Sequence, residues 1–369
     1  MLAKDVLSPG GEAGRETILI GSTGLAPKSG AKRFSLRGVL QVSAIASLTL
    51  VVLAGQSASA DNVVRCAYPF WFGFAPAPVA NEMGYFAEEG IEFEAVFDND
   101  RANVLPGLES GEINCTMRTI GEHMSRPLTA ESNLVVIGLV DVSVGADGVV
   151  GAPGIDSVED LVGKTFAGEI NHPGTLMTAH ALKQAGHSLD DVSLRLIATD
   201  DSPAVFEDPE VAAVATWEPM MSEIVANTSR EGSKILLSSK DFQGLITDVV
   251  IVNRQDYEAN REKYAAFMRG IYRAVDLYNK DPGKFLELAA PGYDVTPDEM
   301  KADLAGVYYT TYEDAVAYFG TGGSTPKLKQ IVEDLTTISL DLDLMDAAIP
   351  YDAMVDPSLT QGLFDGKTR

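Results

Sequence analysis

Beyond residue 61, short apolar runs and stretches of helical period take turns along the chain. Residues 63–67 form a compact apolar run, and 90–97 (Gly-Ile-Glu-Phe-Glu-Ala-Val-Phe) alternate apolar and polar, so both predict strands. Between them Val79, Ala80 and Met83 recur at helical spacing behind Pro76, and Gly84 supplies a stop, predicting a helix over 76–85. A short helix over 102–110, weakened by Pro106, precedes a third strand over 111–117. The run over 134–140 is almost wholly apolar, the mark of a strand covered on both faces. This alternation predicts an α/β sheet.

The texture changes over 141–154, where Gly, Ala, Ser and Pro dominate and Val149-Val150 is the single apolar pair. A crossing to a second domain is expected there. Beyond it, Ser157 and Asp160 have capping-box spacing for a short helix. A strand over 164–167, a helix over 171–186 capped by Asn171, strands over 192–197 and 211–216, and a helix over 219–226 follow. The strand over 246–252 returns the chain to the first domain, and everything after Asn253 reads helical. The expected division is a leader over 1–60, a discontinuous first lobe over 61–145 and 244–369, and a second lobe over 146–243.

The leader reading rests on Lys32, Arg33 and Arg37 ahead of an apolar stretch over 39–54, closed by Ala58-Ser59-Ala60. That is the pattern of a secretory signal peptide cleaved near Ala60, and the apolar stretch is short and broken by Ser, Thr and Gln. Gln56 stands where a lipidated cysteine would be, so the mature protein is expected to be exported, unanchored and not inserted in the membrane. The chain carries a net charge of −25, which disfavours nucleic acid and anionic membrane surfaces.

Candidate chemistry narrows the classes further. There is no phosphate loop, nucleophile elbow or His-Glu-x-x-His motif. The four histidines have no metal-ligand spacing, so neither a metal nor a cofactor is expected. Cys66 and Cys115 lie within strands, without a local cation to make a thiolate. An exported protein could oxidise them if their strands were neighbours, but adjacent parallel strands rarely present the geometry, so of the two open readings the bridge is the less favoured.

Polar and aromatic residues instead gather at strand ends, where open α/β sheets bind ligands. Tyr68, Phe70, Trp71, Phe72 and Phe74 crowd the loop after the first strand, and Arg118 and Thr119 follow the third. Asp141 follows the fourth, His172 to Thr175 open a helix whose amides suit an anion, and Trp217-Glu218 end another strand. Asp248 sits inside the apolar run Leu245-Ile-Thr-Asp-Val-Val-Ile, where a carboxylate is costly unless it is paired or faces a ligand. Two readings stay open for it, a cation site in a cleft or a structural salt bridge. Arg118 likewise either clamps an anionic group or pairs with Glu122 one turn on.

The segments VANEMGYFAEEGIEFEAV, GLESGEINCTM, GIDSVEDLVGKTFA, LKQAGHSLDDVSL, VAAVATWEPMMSEI and TTYEDAVAYFG, in this order, resemble the nitrate/sulfonate/taurine solute-binding proteins of ABC importers, within the wider thiamine-precursor-binding type. The resemblance implies a type II periplasmic binding fold: two α/β lobes of mostly parallel sheets with flanking helices, a helical C-terminal region, and a ligand enclosed in the cleft by hinge closure. It also implies a periplasmic monomer that passes its solute to an ABC permease and its ATPase, without catalysis. TDVVIV resembles the taurine-binding branch, which implies that Asp248 meets the ligand's amine, and the WEP segment places Trp217 beside it. Tyr68, Phe70 and Trp71 would then wall the cleft, Asp248 and Glu218 hold an amine, and Arg118, Thr119 and the amides of His172–Thr175 hold an anionic end.

Taurine or another amino-sulfonate is the first choice. An aminopyrimidine, a methylated amine held by the aromatic loop, nitrate or an alkanesulfonate are the alternatives. A pyrimidine-synthase-like enzyme and a sensor subunit on the same fold rank behind them. Arg118, where relatives have a small Gly/Ser turn, and the aromatic first loop depart from the family pattern.

Overall fold

Two sheets organise the chain in the computed structural model, which describes residues 62–98, 101–124, 132–242, 244–320, 325–367 and 369. The expected leader and its cleavage site lie outside the described residues. The first sheet contains β1 (Val63–Tyr68), β2 (Glu92–Phe97), β3 (Cys115–Thr119), β4 (Leu134–Ser143), β10 (Thr247–Asn253) and β11 (Val307–Tyr309), in the order β11-β4-β10-β3-β1-β2. The second contains β5 (Asp147–Gly151), β6 (Thr165–Gly168), β7 (Ser193–Leu196), β8 (Val211–Trp217) and β9 (Lys234–Ser238), in the order β7-β6-β8-β5-β9. In the first sheet β10 and β11 run against the other four, and in the second only β5 runs against its neighbours. The two-sheet α/β architecture is therefore borne out, and each sheet has its own apolar core. The sheets are mixed rather than mostly parallel, because β10, β11 and β5 each run against all of their neighbours.

Local sequence explains most elements. The first helix, Pro76–Glu82, has proline in its opening turn, and Gly84, at φ 73°, takes the left-handed turn before Tyr85–Glu88. Ser157 and Asp160 form the expected capping box, as do Thr296 with Glu299 and Thr311 with Asp314 later in the chain. The helix Pro173–Gln184 is capped not by Asn171 but by His172, whose Nδ1 accepts the Gly174 N–H at 2.9 Å.

Other expectations change. The stretch read as a bare crossing holds the end of β4 and all of β5, whose centre is the Val149-Val150 pair. β3 extends through Thr119, so Arg118 and Thr119 belong to the strand rather than to the loop beyond it. Cys66 and Cys115 form a disulfide instead of remaining free. The reason is register: they are direct partners on the adjacent parallel strands β1 and β3, with Cα atoms 4.3 Å apart.

The crossings between the sheets are laced together. Ser143 and Ser239 share a hydroxyl–hydroxyl hydrogen bond of 2.7 Å, Gly145 N–H donates to Ser239 and Asp147 N–H donates to Ser143. Because β4 leads directly into β5, the ends of β3, β4, β8 and the start of β10 meet at one place.

Candidate functional site

That meeting place is a narrow cleft with a cavity volume of about 20 Å³, lined by Pro69, Trp71, Phe74, Thr119, Glu122, Asp147, Pro173, Trp217 and Asp248. In this form it has room for about one water molecule, well below ligand pockets of roughly 300–1,000 Å³, so an organic guest requires its lining to move apart. β10 builds its floor. Asp248 is the register partner of Thr119 on β3 and of Asp141 on β4, so all three side chains leave one face of the sheet. A β-bulge on β4 shifts the pairing from Asp248–Asp141 to Val249–Leu139, which brings Asp141 opposite Asp248.

Both aspartates are almost wholly buried. Their carboxyl groups lie within hydrogen-bonding contact of each other, and no lysine or arginine among the described residues pairs with either. Burial raises the Asp141 carboxyl to about 7, against the opposing hydrogen bonds of Asp248 and Trp71. Burial also raises Asp248 well above the usual carboxylate range, and the negative charges of Asp141, Asp147 and Glu122 raise it further.

The aromatic loop is pinned over this pair. Trp71 Nε1–H points to Asp141 Oδ1 at 3.4 Å, and Tyr293 and Tyr309 donate their hydroxyls to the carbonyls of Trp71 and Phe72. Gly73 is required here: a Cβ on it would lie 2.1 Å from Trp71 Nε1 and 2.4 Å from Asp141 Oδ2. From the second sheet, Asp147 and Trp217 are register partners on β5 and β8, and the Trp217 indole stacks on His172 at 4.9 Å between centroids. Glu122 opens the helix Ile120–Met124 reciprocally with Thr119: its carboxylate accepts the Thr119 N–H, and the Thr119 hydroxyl accepts the Glu122 N–H.

Chemically, the described lining offers three carboxylates and two indoles, without a lysine or arginine. With this geometry the comparisons with known proteins become informative. A family profile described as NMT1/THI5 like matches residues 71–284, more than half of the chain. The chain belongs to the NMT1/THI5-like family. It is also 25% identical over 267 residues to the "Putative binding protein BAB2_1146" of Brucella abortus, which spans 70% of this chain and 81% of that relative.

Among solved structures, the periplasmic aliphatic sulphonate binding protein SsuA of Escherichia coli superimposes with a TM-score of 0.63 at 16% identity, over 81% of this chain and 99% of SsuA. The periplasmic nitrate-binding protein NrtA of Synechocystis PCC 6803 gives 0.63 at 12% identity, over 83% and 89%. The desulfurization enzyme DSZB shares the fold as well, at a TM-score of 0.60 and 13% identity, over 83% and 99%. The type II periplasmic binding fold implied by the sequence segments is thus borne out, as is the resemblance to the importers' binding proteins.

Within this family member the expected site residues separate. Trp71, Thr119, Trp217 and Asp248 line the cleft, and Asp141 lies directly behind Asp248 and Trp71. Tyr68 is instead buried among Phe74 and Phe97, and Phe70 packs on Phe72 and Tyr293, so these rings support the loop rather than face the cleft. Arg118 is buried as the partner of Val249, on the sheet face opposite to Thr119. His172 is fully buried, Thr175 sits one turn inside the same helix, and the Gly174 N–H is already taken by His172. Glu218 turns away to accept from Ser222 N–H and Oγ at 2.9 and 2.8 Å. Sequence reasoning missed Asp147, Phe74 as a lining ring, and Gly73. A lone Asp before a Gly-flanked Val-Val pair was the available signal for the first.

Proposed function

We propose that this chain is an extracytoplasmic solute-binding protein that captures a small organic cation, an amine or methylated amine, between its two sheets. It would act as a monomer and pass the solute to an ABC permease and its ATPase, without transforming it. One observation carries the reading: two buried carboxyl groups in contact at the cleft floor with no basic partner among the described residues. A bound cation supplies the missing charge, and Trp71, Trp217 and Phe74 offer π-faces to the same group. Among the described residues no cluster of His, Cys, Asp and Glu is arranged to hold a metal ion, which favours an organic cation.

The fold shared with importer binding proteins supports capture and delivery. Export is supported by the leader pattern and by the Cys66–Cys115 disulfide, a bond that persists in oxidising compartments. Taurine, the first choice from the sequence, offers the amine, but the described lining has no lysine or arginine for its sulfonate.

A thermal-shift panel of choline, ethanolamine, taurine, ethanesulfonate and nitrate tests the reading. Stabilisation by choline or ethanolamine, and none by ethanesulfonate or nitrate, is the expected result. Stabilisation by the two anions alone would overturn it.

A further inference from the structure

The cross-strand carboxyl pair has a consequence for how a ligand enters. Opposed residues of antiparallel strands have Cα atoms about 4.5–5.5 Å apart, close enough for two aspartyl groups on one face to touch. In water such a pair would be screened, but Asp141 and Asp248 are 0% and 2% exposed. Two negative charges at contact in a dry site cannot both persist without a counter-charge. Among the described residues, the groups packed around them do not supply one. From the first sheet come Thr119 on β3 and Tyr309 on β11, the latter donating its hydroxyl to Phe72 O. Arg118 leaves the other face of β3. From the helix after β3 comes Glu122, and from β5 comes Asp147, both negative. Tyr293 donates to Trp71 O, and the Trp71 indole N–H points at Asp141. His172 lies behind Trp217, with Nδ1 held by the Gly174 N–H.

We propose that the empty cleft holds one proton shared between Asp141 and Asp248, and that a cationic ligand binds by displacing this proton into solvent. This rests on the cation reading above and deepens it: the site would select for charge by exchange and bind weakly in acid. The shared proton lets the hydrogen-bonded pair exist in the dry, empty site. The ligand's positive charge replaces it when the two sheets close, so the net charge of the cleft is unchanged. Gly73 and the β4 bulge belong to the same device, since they bring the indole and Asp141 to the pair.

The test has two readouts on the full mature chain. Infrared spectroscopy of the empty protein at about pH 7, where solvent-exposed aspartates and Asp303, raised to about 6 by burial, are mostly ionised, reads the C=O stretch of a protonated carboxylic acid. Calorimetric titration with choline or ethanolamine, whichever gives the larger thermal shift, is run in phosphate and in Tris, and the difference in heats reads proton release. The expected result is an acid band that disappears on saturation, release of about one proton, and an affinity that rises about tenfold per pH unit below the pair's titration. The double variant Asp141→Asn/Asp248→Asn, which keeps a carbonyl for Trp71, should lose the acid band and most of the pH slope. A cation that binds with neither an acid band nor proton release would overturn the exchange while leaving the cation reading intact. An acid band that survives in this double variant would also overturn it. No binding by any amine of the panel would sink the cation reading, and the exchange with it.

Discussion

Two regions of the molecule bury charge, and they do so in opposite ways. On the helix Arg261–Lys280, Arg269 is 3% exposed, and its Nη2 reaches Glu89 Oε2 and Glu262 Oε1 at 2.6 Å each. Lys367 stands 3.4 Å from the same Glu89. Burial alone would raise the Glu89 carboxyl, but the hydrogen bond and charge of Arg269 outweigh it and hold the group below its usual range. The Asp141–Asp248 pair is buried more deeply and has two acids with no base among the described residues, and both are raised. Packing demands explain the first cluster, which ties a helix of the first sheet's outer layer to the turn after Tyr85–Glu88. They do not explain the second. An arrangement that costs stability and sits at a cleft floor points to a ligand, whereas a satisfied one points to the fold.

Breaking each cluster should therefore have opposite signs. The largest effect is expected for Arg269→Met, which leaves the partly buried Glu89 with Lys367 as its remaining cation and should lower unfolding free energy by about 2–3 kcal/mol in urea denaturation near neutral pH. Asp248→Asn should do the reverse. At about pH 8 it removes an uncompensated acid and should leave stability unchanged or raise it by about 1–2 kcal/mol. A loss as large as that of Arg269→Met would show that Asp248 is structural and end the contrast.

The two regions should also separate by pH. Asp141 and Asp248 titrate higher in the folded chain than in the unfolded one, so the native state holds more protons above the unfolded value of about 4. The empty protein should lose stability as pH rises from there through about 7, by about 1.4 kcal/mol per pH unit for each extra proton held. Glu89 acts in the other direction: its contribution is full above the unfolded value and is lost as pH falls through its depressed folded value. Melting curves of wild type and Asp141→Asn should diverge on the alkaline side, while Glu89→Gln should flatten only the acid limb.

The smallest effect is expected at the surface. Lys183 and Asp341 join the helix Pro173–Gln184 to Lys327–Asp341, with side chains 55% and 40% exposed. Asp341→Asn should change stability by less than about 1 kcal/mol.

The same contrast governs what could be read from sequence. Asp248 stood out because a carboxylate inside a six-residue apolar neighbourhood has no innocuous placement, and Asp141 because it closes an apolar run. Helices and central strands were legible through period and caps. Arg118 was misjudged because a strand read two residues short gives no face, and one step along a strand reverses the direction of the side chain. The Cys66–Cys115 bridge was disfavoured for the same reason: register between strands is set by tertiary packing. β9 and β11 were missed because Lys234–Ser238 is half-exposed and Val307–Tyr309 is only three residues long, so neither has an apolar run to declare it. Asp147 owes its place to pairing with Trp217, far away in sequence. Of the aromatic loop, only Trp71 and Phe74 reach the cleft, and the other rings serve as its backing.

The most direct test of the central claim is calorimetric titration of choline and ethanolamine into wild type and Asp248→Asn, both at about pH 8. The account predicts that at least one amine binds wild type and, at the same pH, loses about 100-fold or more in affinity in Asp248→Asn, with the fold intact by melting temperature. Equal affinity in the two proteins, or binding of ethanesulfonate in preference to both amines, would contradict it.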